Sequence, residues 1–220
     1  MPVQTPPPRR SAFVSLDGID GTGKSTQLTL LADRLRALGL TVTTCTDPGG
    51  TDLGARLREI LLYGRQTQMS MRAETLMFMA SRAELVERII RPALARGEVV
   101  LSDRFLLANV VYQGHAGGLD PADLWAVGAF STQGIEPDRV LVLDLPVDVA
   151  RSRRKPSPAD RVESRDDWYF RRVREGFLLE ARTRPDTHRV IDATGSVEQV
   201  HEAVFAATRE LLASRGHPGL

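Results

Sequence analysis

Cysteine is nearly missing from this sequence: Cys45 is the only one in 220 residues. No internal disulfide can form, and its place in a β-like run makes it a small strand residue rather than a redox centre. No apolar run approaches the roughly 18–20 residues a membrane span requires, and no signal-like apolar stretch opens the chain, so the expectation is a cytoplasmic protein without a membrane partner. A dominant charge is also missing. With 29 basic against 28 acidic residues the formal net charge is +1, which gives no field to attract a polyanion, and no nucleic-acid partner is expected. Internal repeats and low-complexity tracts are absent, and with 42% hydrophobic and 26% charged residues the composition excludes disordered, collagen, coiled-coil and mucin-like classes for the chain as a whole. Lysine is scarce as well: among 29 basic residues only Lys24 and Lys155 are lysine, and the rest are arginine. A compact ammonium point charge fits between phosphates in a tight loop where a planar guanidinium does not, so the position of Lys24 carries information.

What remains reads as one α/β domain over residues 12–215, preceded by a Pro-rich, disordered arm over residues 1–11. Short apolar or β-branched runs at Ala12–Leu16, Thr41–Cys45, Val99–Ser102, Val140–Leu145 and Arg189–Ile191 suit strands buried on both faces of a parallel sheet. Helix-period stretches separate them. Leu28, Leu31, Leu35 and Leu38 share a face, and Gly39 is placed to end that helix. Further helices are expected over Leu53–Leu62, Arg72–Ala95, Pro121–Thr132, Asp166–Thr183 and Val197–Ala213, with Pro92 kinking or dividing the second. Right-handed crossovers then give a five-stranded parallel sheet with helices on both faces and a ligand crevice at the strands' carboxyl ends.

The strongest motif is Gly18-Ile19-Asp20-Gly21-Thr22-Gly23-Lys24-Ser25-Thr26, a GxxxxGK[ST] phosphate loop between a strand and a helix. Its glycines admit phosphate close to the backbone, its N–H groups converge, and the helix N-terminus adds partial positive charge. Lys24 is placed to bridge the β- and γ-phosphates of ATP. Ser25 and an acidic strand end, Asp103, are the candidate Mg²⁺ ligands. Asp144, also at a strand end, reads as structural.

The acceptor is addressed by arginine placement. Arg151, Arg153, Arg154, Lys155 and Arg161 crowd a Pro- and Ser-containing stretch after the fourth strand, which suits a small lid over about residues 150–162. A lid arginine that neutralises transition-state charge is worth about 10³ to 10⁵ in rate where one acts.

The ordered set GIDGTGKSTQ, DPGGT at Asp47–Thr51, LMFMASR at Leu76–Arg82, DRF at Asp103–Phe105 and VYQG at Val111–Gly114 resembles the thymidylate kinase family from about Phe13 to Leu212. The resemblance implies a P-loop kinase fold and an ATP- and Mg²⁺-dependent phosphorylation of dTMP to dTDP by a homodimer. Position by position, it implies that Asp20 contacts the dTMP sugar hydroxyl, that Arg58 and Arg104 hold the acceptor phosphate, and that Phe78 stacks on thymine. By the same resemblance Arg82, Asn109 and Gln113 face the base, and Tyr112 crowds C2′. Gly21 places the chain in the branch whose charge-stabilising arginine sits in the lid, so Arg153 and Arg154 are both candidates. The helix from Arg72 to Ile90, with Met77, Met79 and Ala80, is the candidate dimer contact.

Three departures stand out. Thr46-Asp47 replaces the family's Arg-Glu before Pro-Gly-Gly-Thr, Ala108 stands in place of serine, and Val111 in place of alanine, where its bulk is expected close to the base site. A phosphate monoester is already largely dianionic at neutral pH, with a second pKa of about 6, so the acceptor needs no general base. That agrees with the scatter of His115, His188, His201 and His217 away from the motifs. Two other readings stay open to the residues alone: another nucleoside monophosphate or deoxynucleoside kinase, told apart by its acceptor, and a non-catalytic ATP-dependent switch, which would bind ATP without transfer.

Overall fold

The computed structural model describes residues 11–64, 68–153 and 165–217. In chain order these form β1 (Ala12–Asp17), α1 (Lys24–Ala37), β2 (Val42–Thr46), α2 (Asp52–Tyr63), α3 (Met71–Leu85), α4 (Arg91–Ala95), β3 (Val99–Asp103), α5 (Leu106–Asn109), α6 (Pro121–Thr132), β4 (Arg139–Asp144), α7 (Val147–Arg153), α8 (Asp167–Thr183), β5 (His188–Asp192) and α9 (Val197–Ser214). The proposed N-terminal arm falls outside the described residues except for Ser11, as does the lid beyond Arg153.

The strands make one parallel sheet in the order β2-β3-β1-β4-β5. Val14 of β1 sits in register with Leu101 on one side and Arg139 on the other. Every β1 residue is buried, as a strand covered on both faces requires. The edge strands β2 and β5 instead bury only their first and fourth residues. Alternate β1 side chains feed the two cores: Val14 and Leu16 pack with Leu31, Leu35 and Val204, and Phe13 with Phe105, Leu85 and Ile90. Phe13 meets Phe105 edge-to-face with centroids 5.0 Å apart, an arrangement worth about 0.5–1.5 kcal/mol beyond its area.

The chain leaves β1 to one side for β2 and β3 and to the other for β4 and β5, which opens a crevice at the carboxyl ends of the central strands. Helix starts are fixed by side-chain caps: Thr51 on Gly54 N, Asp166 on Tyr169 N, and a Ser196/Gln199 capping box on α9. Leu38, expected on the buried face of α1, is instead its C-cap and is half exposed. The long helix expected over Arg72–Ala95 is interrupted by a π-helical turn at Val86–Ile90, directly before Pro92. Proline has no N–H to give to the carbonyl four residues back, so the ladder widens there rather than breaking. A second π-turn, Val110–His115, follows α5. Neither this segment nor α7 was expected as helix. No helix among the described residues is long and apolar enough to cross a membrane.

Candidate active site

The loop between β1 and α1 closes onto its surroundings at two glycines. At Gly18, with φ 132°, a Cβ would lie 2.5 Å from the Leu143 carbonyl oxygen, and at Gly21, with φ 93°, one would lie 2.1 Å from that of Ala150. The backbone of β4 and α7 therefore presses on the loop where only hydrogen fits. Ile19 is turned inward, its carbonyl accepting from Thr22 Oγ1 at 2.9 Å and from Lys24 Nζ at 3.0 Å. Lys24 is buried; burial, reinforced by the nearby Arg104 guanidinium, lowers its pKa from the usual lysine value, and the Asp20 carboxylate opposes that.

Arg104 is the second cation. Its Nη1 donates to Gly18 O at 3.0 Å and its Nη2 to Asp20 Oδ1 at 2.5 Å and to Tyr112 Oη at 3.3 Å. The same Asp20 oxygen lies 3.4 Å from Lys24 Nζ, so one carboxylate sits between both cations. Arg104 has φ 67°, a left-handed backbone that costs an L-residue about 1–2 kcal/mol. Its N–H donates to Leu16 O at 2.9 Å and its carbonyl accepts from Ser102 Oγ at 2.6 Å, which holds the kink.

Ser25 Oγ donates to Asp103 Oδ2 at 2.6 Å, joining the start of α1 to the end of β3. A hydroxyl and a carboxylate are hard oxygen donors beside a phosphate loop, a set that fits Mg²⁺, which takes one or two protein oxygens and completes its shell with phosphates and water.

A cavity of about 690 Å³ joins the loop to the sequence-predicted acceptor residues, a volume typical of small-molecule sites. Asp20, Gly21, Thr22, Gly23, Lys24, Ser25, Thr26, Arg58, Phe78, Arg82, Asp103, Arg104, Asn109, Tyr112, Gln113 and Arg153 all line it. Gly18 and Ile19 stand behind the lining, and none of the four histidines reaches it. Arg58 Nη1 donates to Pro48 O at 2.8 Å, after the cis Asp47–Pro48 bond. Tyr112 is fixed from behind by Tyr169 Oη, which donates to its carbonyl at 2.7 Å. Of the two lid candidates, Arg153 donates to the carbonyls of Ala193 at 2.9 Å and Thr194 at 3.3 Å. It therefore sits beside the start of α9 rather than on the phosphate loop, and Arg154 lies outside the described residues.

Several expectations are corrected. Val111 does not crowd the base site: it is fully buried and packs against Gly176 of α8, away from the cavity lining. Met79 is core rather than a contact surface. Asp47 accepts from Arg82 Nε at 2.6 Å, both side chains being buried, so the shorter acid orients Arg82 directly. Asp144 is structural as expected, held by Arg174 through two bonds of 2.7 and 2.8 Å. Cys45 is buried, and burial pushes its thiol up to about 12, leaving it inert. Unforeseen in the sequence is the segment Ala193, Gly195, Ser196, Val197 and Val200, which completes the cavity wall beside Arg153. The run Asp192-Ala193-Thr194-Gly195-Ser196, a strand end leading to a helix cap, was the signal that could have shown it.

A parallel sheet with a phosphate loop at its crevice, a Ser–Asp oxygen pair and an arginine-lined extension of the same cavity define a phosphoryl-transfer enzyme of the P-loop kinase fold. The sequence model of the family described as thymidylate kinase matches residues 16–204. A thymidylate kinase of Rhodopirellula baltica is 46% identical over 205 residues, covering 93% of this chain and 82% of the relative. One of Symbiobacterium thermophilum is 42% identical, covering 93% and 96%. The crystal structure of thymidylate kinase from Ehrlichia chaffeensis superposes with TM-score 0.72 at 28% identity over 90% of this chain and 98% of that one. The chain belongs to the thymidylate kinase family, and it is a kinase.

Proposed function

We propose that this chain transfers the γ-phosphoryl group of ATP to the 5′-phosphate of dTMP, giving dTDP and ADP, with donor and acceptor phosphates meeting between Lys24 and Arg104. The observation that carries the reading is the shared Asp20 oxygen. A loop ammonium and a strand-end guanidinium converge on one carboxylate, at 3.4 and 2.5 Å, the spacing at which two phosphate groups can each find a cation.

Lys24 and the loop N–H groups bind the donor phosphates, and Arg58 and Arg104 hold the acceptor. Phe78 faces the thymine ring, Arg82, Asn109 and Gln113 its polar edge, and Tyr112 the sugar, where Asp20 meets the 3′-hydroxyl. Ser25 and Asp103 would hold Mg²⁺, which when bound offsets charge across the β- and γ-oxygens. Arg153, with Val197 and Val200, flanks the adenine, leaving Arg154 as the lid cation for the transition state. The acceptor arrives as a dianion, so the residues need only align two phosphates and offset their repulsion.

Residues 12–215 act as one kinase domain in the cytoplasm, as a homodimer. An apolar strip on α3 and α6 supports the dimer: Leu76 is 58% exposed, Val127 36% and Phe130 86%. The test is ADP formation by purified protein with ATP, Mg²⁺ and a panel of monophosphates. dTMP should be the preferred acceptor, and Lys24→Met should lower kcat at least about a hundredfold. No dTMP-dependent ADP above background would overturn the assignment.

A further inference from the structure

We propose that Glu74, which lies outside the cavity lining, sets the pyrimidine preference of the acceptor pocket by fixing which way the amides of Asn109 and Gln113 face. The inference rests on the reading above that these amides meet the base.

The bonds run in one direction. Arg82 Nη2 donates to Asn109 Oδ1, Asn109 Nδ2 donates to Gln113 Oε1 at 2.7 Å, and Gln113 Nε2 donates to Glu74 Oε1 at 2.8 Å. All four residues are buried, at 1, 2, 2 and 3% exposure. A guanidinium can only donate and a carboxylate can only accept, so the chain has a fixed polarity at both ends. Turning the Gln113 amide over would set NH₂ against the NH₂ of Asn109 and oxygen against the carboxylate. Two bonds would be lost and two like pairs created among side chains no more than 3% exposed. Glu74 is itself held by Arg165, whose Nη2 lies 3.3 Å from both carboxylate oxygens and whose guanidinium sits 4.3 Å over the Tyr169 ring.

Each amide oxygen keeps a second lone pair for an N3–H donor, and Arg82 supplies a donor for a 4-carbonyl. Thymine and uracil present that edge. A 4-aminopyrimidine presents the reverse, a bare N3 and an amino donor: its N3 finds a donor only if an amide turns, while its amino group faces the Arg82 donor either way. Glu74 is therefore a positioning residue that touches no substrate, and Arg165 is dispensable while the group at position 74 is a carboxylate.

The test compares kcat/KM for dTMP, dUMP and dCMP in wild type, Glu74→Ala, Glu74→Gln, Arg165→Met and the Glu74→Gln/Arg165→Met double variant. Each ratio is taken on one protein preparation, so a change in folded fraction cancels. In Glu74→Ala the dTMP:dCMP ratio should fall at least about fivefold, through KM, while dUMP:dTMP stays fixed because those bases share an edge. Glu74→Gln should lower the ratio as Glu74→Ala does, since Arg165 Nη2 lies 3.3 Å from both positions and cannot choose which holds the amide oxygen, whereas Arg165→Met, which keeps the carboxylate, should leave the wild-type ratio. The isosteric double variant, in which nothing orients the new amide, should fall like Glu74→Ala and decides the matter if that variant does not fold. Wild-type ratios in both Glu74→Ala and the double variant, a fall in Arg165→Met alone, or equal gains by dUMP and dCMP would overturn the proposal. Gln113→Leu separates the two levels. If it leaves the ratio unmoved the base-site reading fails, and if it moves the ratio while the Glu74 variants do not, only the role of Glu74 fails.

Discussion

Gly21 and Gly23 allow the contact between the phosphate loop and α7 to be weighed on its own. Their φ angles nearly match, 93° and 91°, so an alanine at either pays a similar positive-φ penalty, about 1–2 kcal/mol. Their surroundings differ. A Cβ at Gly23 meets nothing within 4 Å, whereas one at Gly21 falls 2.1 Å from the Ala150 carbonyl oxygen and 2.9 Å from its carbon. That overlap forces α7 outward, and overpacking of this kind costs about 1–3 kcal/mol. Gly23→Ala should therefore destabilise by about 1–2 kcal/mol and Gly21→Ala by about 2–5 kcal/mol. Urea unfolding reads the difference as a shift in midpoint at unchanged m. Equal destabilisation, within about 0.5 kcal/mol, would show that α7 does not rest on the loop in solution. The same geometry explains why a loop arginine has no room here: any side chain at position 21 must displace α7.

Asp47→Ala would strand the buried Arg82 guanidinium and should cost about 3–5 kcal/mol in urea unfolding while raising KM for dTMP; a loss below about 1 kcal/mol would place the pair in solvent. Burial holds the His188 imidazole at about 4, down from 6.5, so the unfolded chain takes up a proton that the fold excludes. That stability is present above about pH 6.5 and is lost as pH falls toward 4. His188→Asn should flatten the slope between pH 7 and 4.5 by about 2 kcal/mol, and a slope unchanged from wild type would refute the burial argument. Phe130→Glu should shift sedimentation toward the monomer, and an unaltered dimer would move the interface away from α6.

The sheet was legible because buried parallel strands leave a local mark. Val99-Val100-Leu101 and Val140-Leu141-Val142-Leu143 are unbroken apolar runs, and the structure carries them at the interior of the strand order. Helix ends were legible where a side chain caps its own turn, as at Asp120 and Ser196. What escaped has no such periodicity. The segment from Leu106 to His115 starts on an uncapped residue and passes from α to π geometry within one turn, because its side chains are placed by β3, α6 and α8 rather than by a helical face of their own. α7 is a short helix of 7 residues, whose charged sequence reads equally well as a solvated loop.

The site divides along the same line. Loop residues are contiguous, so Gly18 to Thr26 announce their chemistry in one motif, and the resemblance extends it to Arg58, Phe78, Arg82 and Arg104. The partners that aim those side chains lie far away in sequence: Asp47 binds an arginine 35 positions on, Glu74 an amide 39 positions on, and Arg165 reaches back 91. Such pairs satisfy buried charge and polarity, and that requirement exists only once folding removes water from both members. The departures at Asp47 and Val111 make the point in opposite senses. Val111, expected from the motif to add bulk near the base, has its side chain carried to α8 by the π-turn. Asp47, which the motif shows only as a departure from the family's Arg-Glu, is the acid that sets the position of Arg82. Residue type showed what chemistry was available, whereas the direction each side chain takes was decided by elements that the motif does not contain.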